Sequence, residues 1–203
     1  MSIVELRQYT LRPGRRDDLV TLFEREFVEA QEEAGIRVIG TFRDVGDPDR
    51  FVWIRGFADM ATRLAGLTEF YGGPVWKEHR DAANATMIDS DDVLLLAPVD
   101  GEFCVAERTD GAGEPGRVLA VVHLDRAPDP AAAAARLGAP LVVLRTAAAV
   151  NDFPALPVRP EPAEVWFARF PDAAALRAAR AALEVPDAAQ VLVLEPTARS
   201  AYR

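Results

Sequence analysis

The chain has 203 residues, half of them hydrophobic, with 23 basic against 32 acidic residues and a formal net charge of −9. This length accommodates one or two domains with a full apolar core. The acidic balance, without a single Lys/Arg-rich tract, argues against nucleic acid or an anionic membrane surface as partner, since both require clustered positive charge. Cys104 is the only cysteine, so neither an intramolecular disulfide nor a cysteine-based metal site is expected. The chain opens on an alternating pattern instead of an apolar leader and has no apolar run of membrane-spanning length, which predicts a cytoplasmic protein.

Residues 3–11 (IVELRQYTL) alternate with period two, Val4 and Leu6 on one face, Glu5, Arg7 and Tyr9 on the other, and predict a strand. Pro13-Gly14 marks a turn, and Asp17 and Asp18 favour a helix start. Leu19, Leu22, Phe23, Phe27 and Ala30 then recur at helical spacing over 17–33, and Gly35 ends that helix. Strands follow at 37–45 and 50–57, then a helix over 58–71, a break at Gly72-Gly73-Pro74, a second helix over 75–87, and a strand at 92–99. The order is β-α-β-β-α-β, a ferredoxin-like unit with both helices on one face of a four-stranded sheet.

The Gly- and acid-rich stretch 100–116 reads as a linker. Strands at 118–125, 140–148, 164–170 and 190–195, with an Ala-rich helix after the first and a helix over 172–183, then repeat the order. The connection between the second and third of these strands carries Pro154, Pro157, Pro160 and Pro162. It cannot continue a sheet and is expected to wrap over an opening as extended chain.

The repetition extends to the wording. VWIRGFAD at 52–59 returns as VWFARFPD at 165–172, an offset of 113 residues, and DVLLLAPV at 92–99 returns as QVLVLEPT at 190–197, an offset of 98. A module repeated in fixed order with a shrinking spacer describes two halves, residues 1–99 and 117–203, joined by the linker. Each half leaves one sheet face open, and packing the two faces together makes an α+β barrel within one chain.

Val4, Leu6, Val52 and Ile54 suit the helix side of their strands. Glu5, Arg7, Tyr9, Trp53 and Arg55 are therefore expected to point into the lumen, joined by Arg43. A polar patch in an apolar cavity is the usual make-up of a small-molecule site. There Arg7 or Arg55 would hold an enolate or carboxylate oxygen while Tyr9 donates a hydrogen bond. The same residues could instead be a buried ion pair that only fixes packing. Trp76 and His79 lie three apart on one helical face, and His79 is a candidate for proton transfer. His123 falls at the repeat position of Tyr9, and Trp166 at that of Trp53. Glu5, Arg7 and Arg55 are matched by Leu119, Val121 and Ala168, which implies one functional cavity owned by the first half. No phosphate loop, nucleophile elbow or metal-ligand cluster is present in the sequence.

The segments VELRQYTLRPG, FVWIRGFAD and FYGGPVWKEHRD resemble the NIPSNAP family, a branch of the dimeric α+β barrel superfamily. The resemblance covers residues 3–98, and the second half looks like the companion half of two-domain members. It implies the same two tandem ferredoxin-like halves packed sheet to sheet. The wider superfamily includes cofactor-free monooxygenases, heme-handling enzymes, isomerases and dehydrohalogenases, and its heme-degrading members use a helix histidine near a tryptophan. The expectation is thus a protein binding a small planar or carbonyl-bearing metabolite in its lumen. It would be a cofactor-independent enzyme of monooxygenase, isomerase or lyase type, with His79, His123 and Tyr9 as catalytic candidates. Glu5, Arg7, Arg43, Trp53, Arg55, Trp76 and Trp166 are its candidate ligand-binding residues. The alternatives are a scaffold with a solid barrel and a heme-binding protein using His79. Neither a metal nor, heme aside, a cofactor is expected, and homo-oligomers through exposed edges are compatible with the sequence.

Overall fold

The computed structural model describes residues 1–108, 116–124 and 127–203; most of the expected linker's Gly-rich portion, and Asp125 at the end of the expected strand 118–125, lie outside them. The first half runs β1 (Ile3–Leu11), α1 (Arg16–Leu22), a π-helical turn (Phe23–Phe27), α2 (Val28–Glu33), β2 (Arg37–Asp44), β3 (Arg50–Phe57), α3 (Met60–Gly72), α4 (Pro74–Asn84) and β4 (Met87–Asp100). The second half runs β5 (Arg117–His123), α5 (Pro130–Leu137), β6 (Val142–Thr146), β7 (Glu164–Phe170), α6 (Ala173–Ala182) and β8 (Gln190–Pro196).

The repeated strand-to-helix corner works the same way in both halves. Asp59 caps α3 by accepting from the Thr62 amide, and Asp172 caps α6 by accepting from the Ala174 and Ala175 amides, which satisfies donors that a helix start leaves without partners. Gly35, at φ 79°, ends α2 in the left-handed conformation that glycine adopts without steric cost.

The eight strands close into one antiparallel barrel in the order β1-β3-β2-β8-β5-β7-β6-β4. The halves join at two seams. β2 meets β8 through Phe42↔Pro196 to Asp44↔Leu194, and β4 meets β6 from Leu96↔Thr146 onward. The repeat is exact in register: Arg7 opposes Trp53 in the first half and Val121 opposes Trp166 in the second.

The faces are the reverse of the expectation. Val4, Leu6, Val52 and Ile54 point into the lumen, where they pack with Val118, Val122, Phe167, Leu192 and Leu194 of the second half. An eight-stranded barrel is just wide enough to be filled by side chains, and this one is filled by aliphatic and aromatic groups from both halves. Phe103, from the described part of the connection, and Tyr202, from the C-terminal tail, join that cluster. Gln8 and Gln190 exchange two amide hydrogen bonds, of 3.0 and 2.9 Å, between the halves. Glu5, Arg7, Tyr9, Trp53 and Arg55 face outward, under the helices. The reason is that the lumen is shared: a buried charge pointing there would meet only the apolar face of the other half, whereas the helix layer supplies polar partners. Among the described residues the lumen is therefore occupied by packed side chains.

Each half has its own outer layer between sheet and helices. In the first, α3 comes so close to the α2–β2 corner that a Cβ on Gly66 would lie 2.8 Å from the Ala34 carbonyl oxygen, and this approach sets Arg63 against the sheet. The expected Pro-rich wrap is present. Residues 147–163 leave β6 and cross the first half's helix layer, where Phe153, Leu156 and Val158 pack. Among the described residues no helix is long and apolar enough to cross a membrane.

A filled lumen predicts that truncating one of its large side chains costs stability. Phe167→Ala should lower the unfolding free energy by about 3–5 kcal/mol in urea melts.

Candidate functional site

Glu5 is wholly buried on the outer face of β1 and lies among three guanidiniums. Arg7 Nη1 and Arg55 Nε each donate to Glu5 Oε2 at 2.7 Å, and Arg63 Nε donates to Oε1 at 2.7 Å. Arg55 Nη2 also lies 2.7 Å from Oε2, but out of line for a hydrogen bond, so that contact is Coulombic. The strand period brings Glu5 and Arg7 onto one face, the β1–β3 register sets Arg55 directly opposite Glu5, and α3 delivers Arg63 from above. Burial alone would raise the Glu5 pKa, but Arg55, Arg7 and Arg63 together override it and hold the carboxyl far below its ordinary range. Arg63 Nη1 donates to Asp152 Oδ1 at 2.5 Å, across from the second half.

Around this cluster stands an aromatic wall. The Trp53 ring lies under the guanidiniums of both Arg7 and Arg55, at 5.5 and 5.0 Å. Arg7 Nε donates to the Tyr9 hydroxyl at 3.2 Å, while Arg55 Nη1 reaches Gln31 Oε1 and the Tyr71 hydroxyl, each at 3.4 Å. Burial pushes the Tyr9 pKa up against the opposing pull of Arg7, so the phenol keeps its proton and remains a donor. Phe23 and Phe27, the ends of the π-helical turn, complete the wall together with Phe70, Tyr71 and Trp76. A small cavity of about 30 Å³ lies between them, large enough for a water molecule. The π turn breaks the 3.6-residue period within an otherwise continuous helix, a device often found at functional sites.

Three buried donors in this layer have no hydrogen-bond acceptor among the described residues, Trp53 Nε1, Arg55 Nη2 and Arg63 Nη2. The comparison with the second half is direct, because Trp166 is the repeat of Trp53. Its indole nitrogen donates to Glu164 Oε1 at 2.7 Å, as buried polar groups ordinarily do. The second layer has one such atom of its own, His123 Nε2, but its tryptophan has an acceptor and the first layer's has none among the described residues.

The remaining candidates are dispersed. Trp76 lines the small cavity. His79, on the same helix, is 22% exposed and pairs with Glu26, at 3.4 Å, with its ring against Phe27 and not against the guanidiniums. The rings around it pack on one another at contact distance, so the residues at His79 do not fit a heme. His123 and Trp166 belong to the second half's layer, with ring centroids 4.4 Å apart. Burial depresses the His123 pKa, opposed by Glu164, and keeps the ring neutral at pH 7. Arg43, expected in the lumen, lies at the surface on Asp17, because its neighbour Phe42 takes the lumen position. No three His, Cys, Asp or Glu gather into a metal-sized group among the described residues.

Sequence reasoning missed Arg63, Gln31, Tyr71 and Asp152. Arg63 had a signal: it sits three residues after Met60 and four before Leu67, on the apolar stripe of α3, where a charge requires a buried partner. A wider, open groove of about 990 Å³ runs between α6 and the β2–β3 turn. Its Arg50 and Arg117 already pair with Asp44 and Glu195, and no buried donor there lacks an acceptor among the described residues, so the first-half layer is the stronger site.

Fold and site together define an α+β barrel of the kind otherwise assembled from two chains, with one charged layer and one apolar layer. The family model described as NIPSNAP matches residues 4–101, so the first half is a NIPSNAP domain, and the second half repeats the fold. No curated protein matches the sequence. Among solved structures, a Fusobacterium nucleatum protein provisionally described as a monooxygenase is similar over 96% of this chain and 91% of its own, at 9% identity and a TM-score of 0.60. A Lactobacillus acidophilus protein with the same provisional description is similar over 97% and 94%, at 14% identity and a TM-score of 0.58. An uncharacterized NIPSNAP domain protein from Burkholderia xenovorans is similar over 50% of this chain and 97% of its own, at 19% identity and a TM-score of 0.43. The two full-length likenesses are likenesses of fold.

Removing the central carboxylate tests the cluster. Glu5→Gln should cost about 3–5 kcal/mol at neutral pH, because three buried guanidiniums lose their counter-charge. Glu5's folded pKa lies below its unfolded value, so its stabilisation is complete above the ordinary value of 4.5 and is lost as pH falls below it. The gap between wild type and Glu5→Gln, measured by urea melts at a series of pH values, should be constant above that point and narrow under it.

Proposed function

We propose that the first-half layer binds a small planar organic molecule through an oxygen that carries negative charge, either in the ligand itself or as it forms during reaction. The observation that carries this reading is the charge count of a sealed layer. Three guanidiniums face two carboxylates, leaving one positive charge in excess, with three buried donors that have no hydrogen-bond acceptor among the described residues. An anionic oxygen placed there would supply the missing charge and the missing acceptor together. The aromatic wall suits a flat body beside that oxygen.

As an enzyme site the layer would stabilise an enolate or similar oxyanion through Arg55 and Arg63, with the Tyr9 hydroxyl donating a hydrogen bond. That chemistry agrees with the monooxygenase descriptions of the two full-length structural neighbours, to which this chain is related by fold. The cavity, at about 30 Å³, has room for a water and not for a ligand, so binding requires the segment 147–163 or the α3–α4 corner to give way. A structural reading also has support, since the guanidiniums are paired among themselves through Glu5 and Asp152, as they would be in a cluster that serves only to fix packing.

Tryptophan fluorescence separates the two, because Trp53 and Trp76 lie in the layer. A panel of small organic anions should shift the emission while their uncharged amides do not, and Arg63→Met should abolish the response while Arg177→Met, at the exposed face of α6, leaves it intact. Equal response to the amides, or a response that survives Arg63→Met, would sink the binding reading and leave the structural one.

A further inference from the structure

The carboxylate that meets Arg63 on its outer side does not come from the first half. It comes from Asp152, 89 residues along the chain, in the connection between β6 and β7. Arg63 is wholly buried, but Asp152 is 27% exposed, so this end of the guanidinium is the one that faces the way out to solvent, while the Glu5 end is sealed. Asp152 occupies Nη1 alone and leaves Nη2 without an acceptor among the described residues. A free carboxylate arriving by that route could take Nη1 and Nη2 together, in the paired fork geometry that a guanidinium favours.

The next residue extends the likeness. The Phe153 ring rests on Tyr71 with centroids 6.0 Å apart and planes tilted by 31°, and Tyr71 in turn contacts Trp76 at 4.9 Å. A carboxylate followed by a flat ring is thus already seated on the site, with the acid on Arg63 and the ring on the aromatic wall. The segment that presents it is folded on itself. Asn151 Oδ1 accepts from the Phe153 amide, Asn151 Nδ2 donates to the Leu156 carbonyl, and the Leu156 amide donates to the Phe153 carbonyl. It is fixed to β4 at its two ends, where the Ala147 amide bonds the Leu95 carbonyl and the Arg159 amide bonds the Val93 carbonyl. Between those anchors its one hydrogen bond to the first half, among the described residues, is that of Asp152 to Arg63.

We propose that Asp152 and Phe153 hold the place of the ligand, and that the ligand is an aryl carboxylate or a planar carboxylate of similar size, which displaces them. The proposal rests on the reading of the first-half layer as an anion site and names what that site takes: the ligand takes over the charge of Asp152 and adds the acceptor that Arg63 Nη2 lacks among the described residues. The ligand's carboxylate forks onto Arg63, its ring takes the position of the Phe153 ring against Tyr71, and the segment 148–158 swings out between its anchors. A tethered carboxylate competes at an effective concentration in the millimolar range or above. The intact protein therefore retains weak ligands poorly, and the competitor's removal is felt as tighter binding.

The test uses the full chain with benzoate, acetate and benzamide as probes, read by tryptophan quenching and calorimetry, with urea melts to establish that each variant is folded. Asp152→Asn should tighten benzoate binding by on the order of tenfold without creating affinity for benzamide. Phe153→Ala, which leaves the ion pair alone, should tighten benzoate and leave acetate unchanged. Adding Arg63→Met should abolish benzoate binding in every background. If organic anions bind in an Arg63-dependent way but Asp152→Asn and Phe153→Ala leave benzoate unchanged or weaker, the displacement and the aryl carboxylate assignment fall while the anion site stands. If folded variants and wild type alike bind no organic anion, both fall.

Discussion

The first half is organised around one carboxylate. Glu5 is the common acceptor for guanidiniums from its own strand, from the neighbouring strand and from a helix, and each of those side chains is buried. Three like charges converging on one point are tolerable in a low-dielectric layer only with an opposite charge at that point. The position of α3 follows from this, since Arg63 reaches Glu5 only because Gly66 lets the helix approach the α2–β2 corner. The seating of the second half's long connection follows as well, since its one hydrogen bond into this layer, among the described residues, ends on the same Arg63. Local register, helix placement and contact between halves are thus joined through a single residue.

The second half shows what the same scaffold does without that carboxylate. Leu119, Val121 and Ala168 stand where Glu5, Arg7 and Arg55 stand, in matching register, and its layer is closed by aliphatic packing under shorter helices. Its polar group on the sheet, made of Glu164, Arg145, Trp166 and His123, is centred on Glu164, which accepts from both the indole and Arg145, while His123 Nε2 has no hydrogen-bond partner among the described residues. Neutral His123 fits there because burial disfavours its charged form. The two tryptophans in equivalent places differ in the same way, one indole with an acceptor and one without among the described residues.

The fold was legible in the sequence because periodicity and repetition are local properties. Every strand of both halves could be placed from local pattern and from the repeat, and the long connection from its prolines. The direction of the strand faces was not legible. Alternation separates two faces but does not say which one meets a helix, and the usual preference for apolar residues under helices pointed the wrong way here. The deciding fact was non-local: the lumen face of each half must match the lumen face of the other, and Val118, Val122, Leu192 and Leu194 leave no polar partner for Glu5. The residues of the site could be named in part, because Glu5, Arg7, Tyr9, Trp53 and Arg55 share one strand face. Arg63 and Asp152 arrive from a helix and from the far half, and only the apolar surroundings of Arg63 on its own helix hinted at a buried partner. The π-helical turn had no signal, since Leu19, Phe23 and Phe27 fit an ordinary helix equally well.

Covalent joining of the halves also changes the arithmetic of the barrel. A barrel made from two identical chains has two equal layers and comes apart on dilution. In this chain the seams β2–β8 and β4–β6 close at any concentration, and each half is free to hold a different layer. The protein is a heterodimer by construction, with one charged layer per molecule, covered by a segment that an identical partner would have had to supply twice. A ligand of the charged layer would therefore bind once per chain, and would meet no second, equivalent layer in the same barrel with which to cooperate.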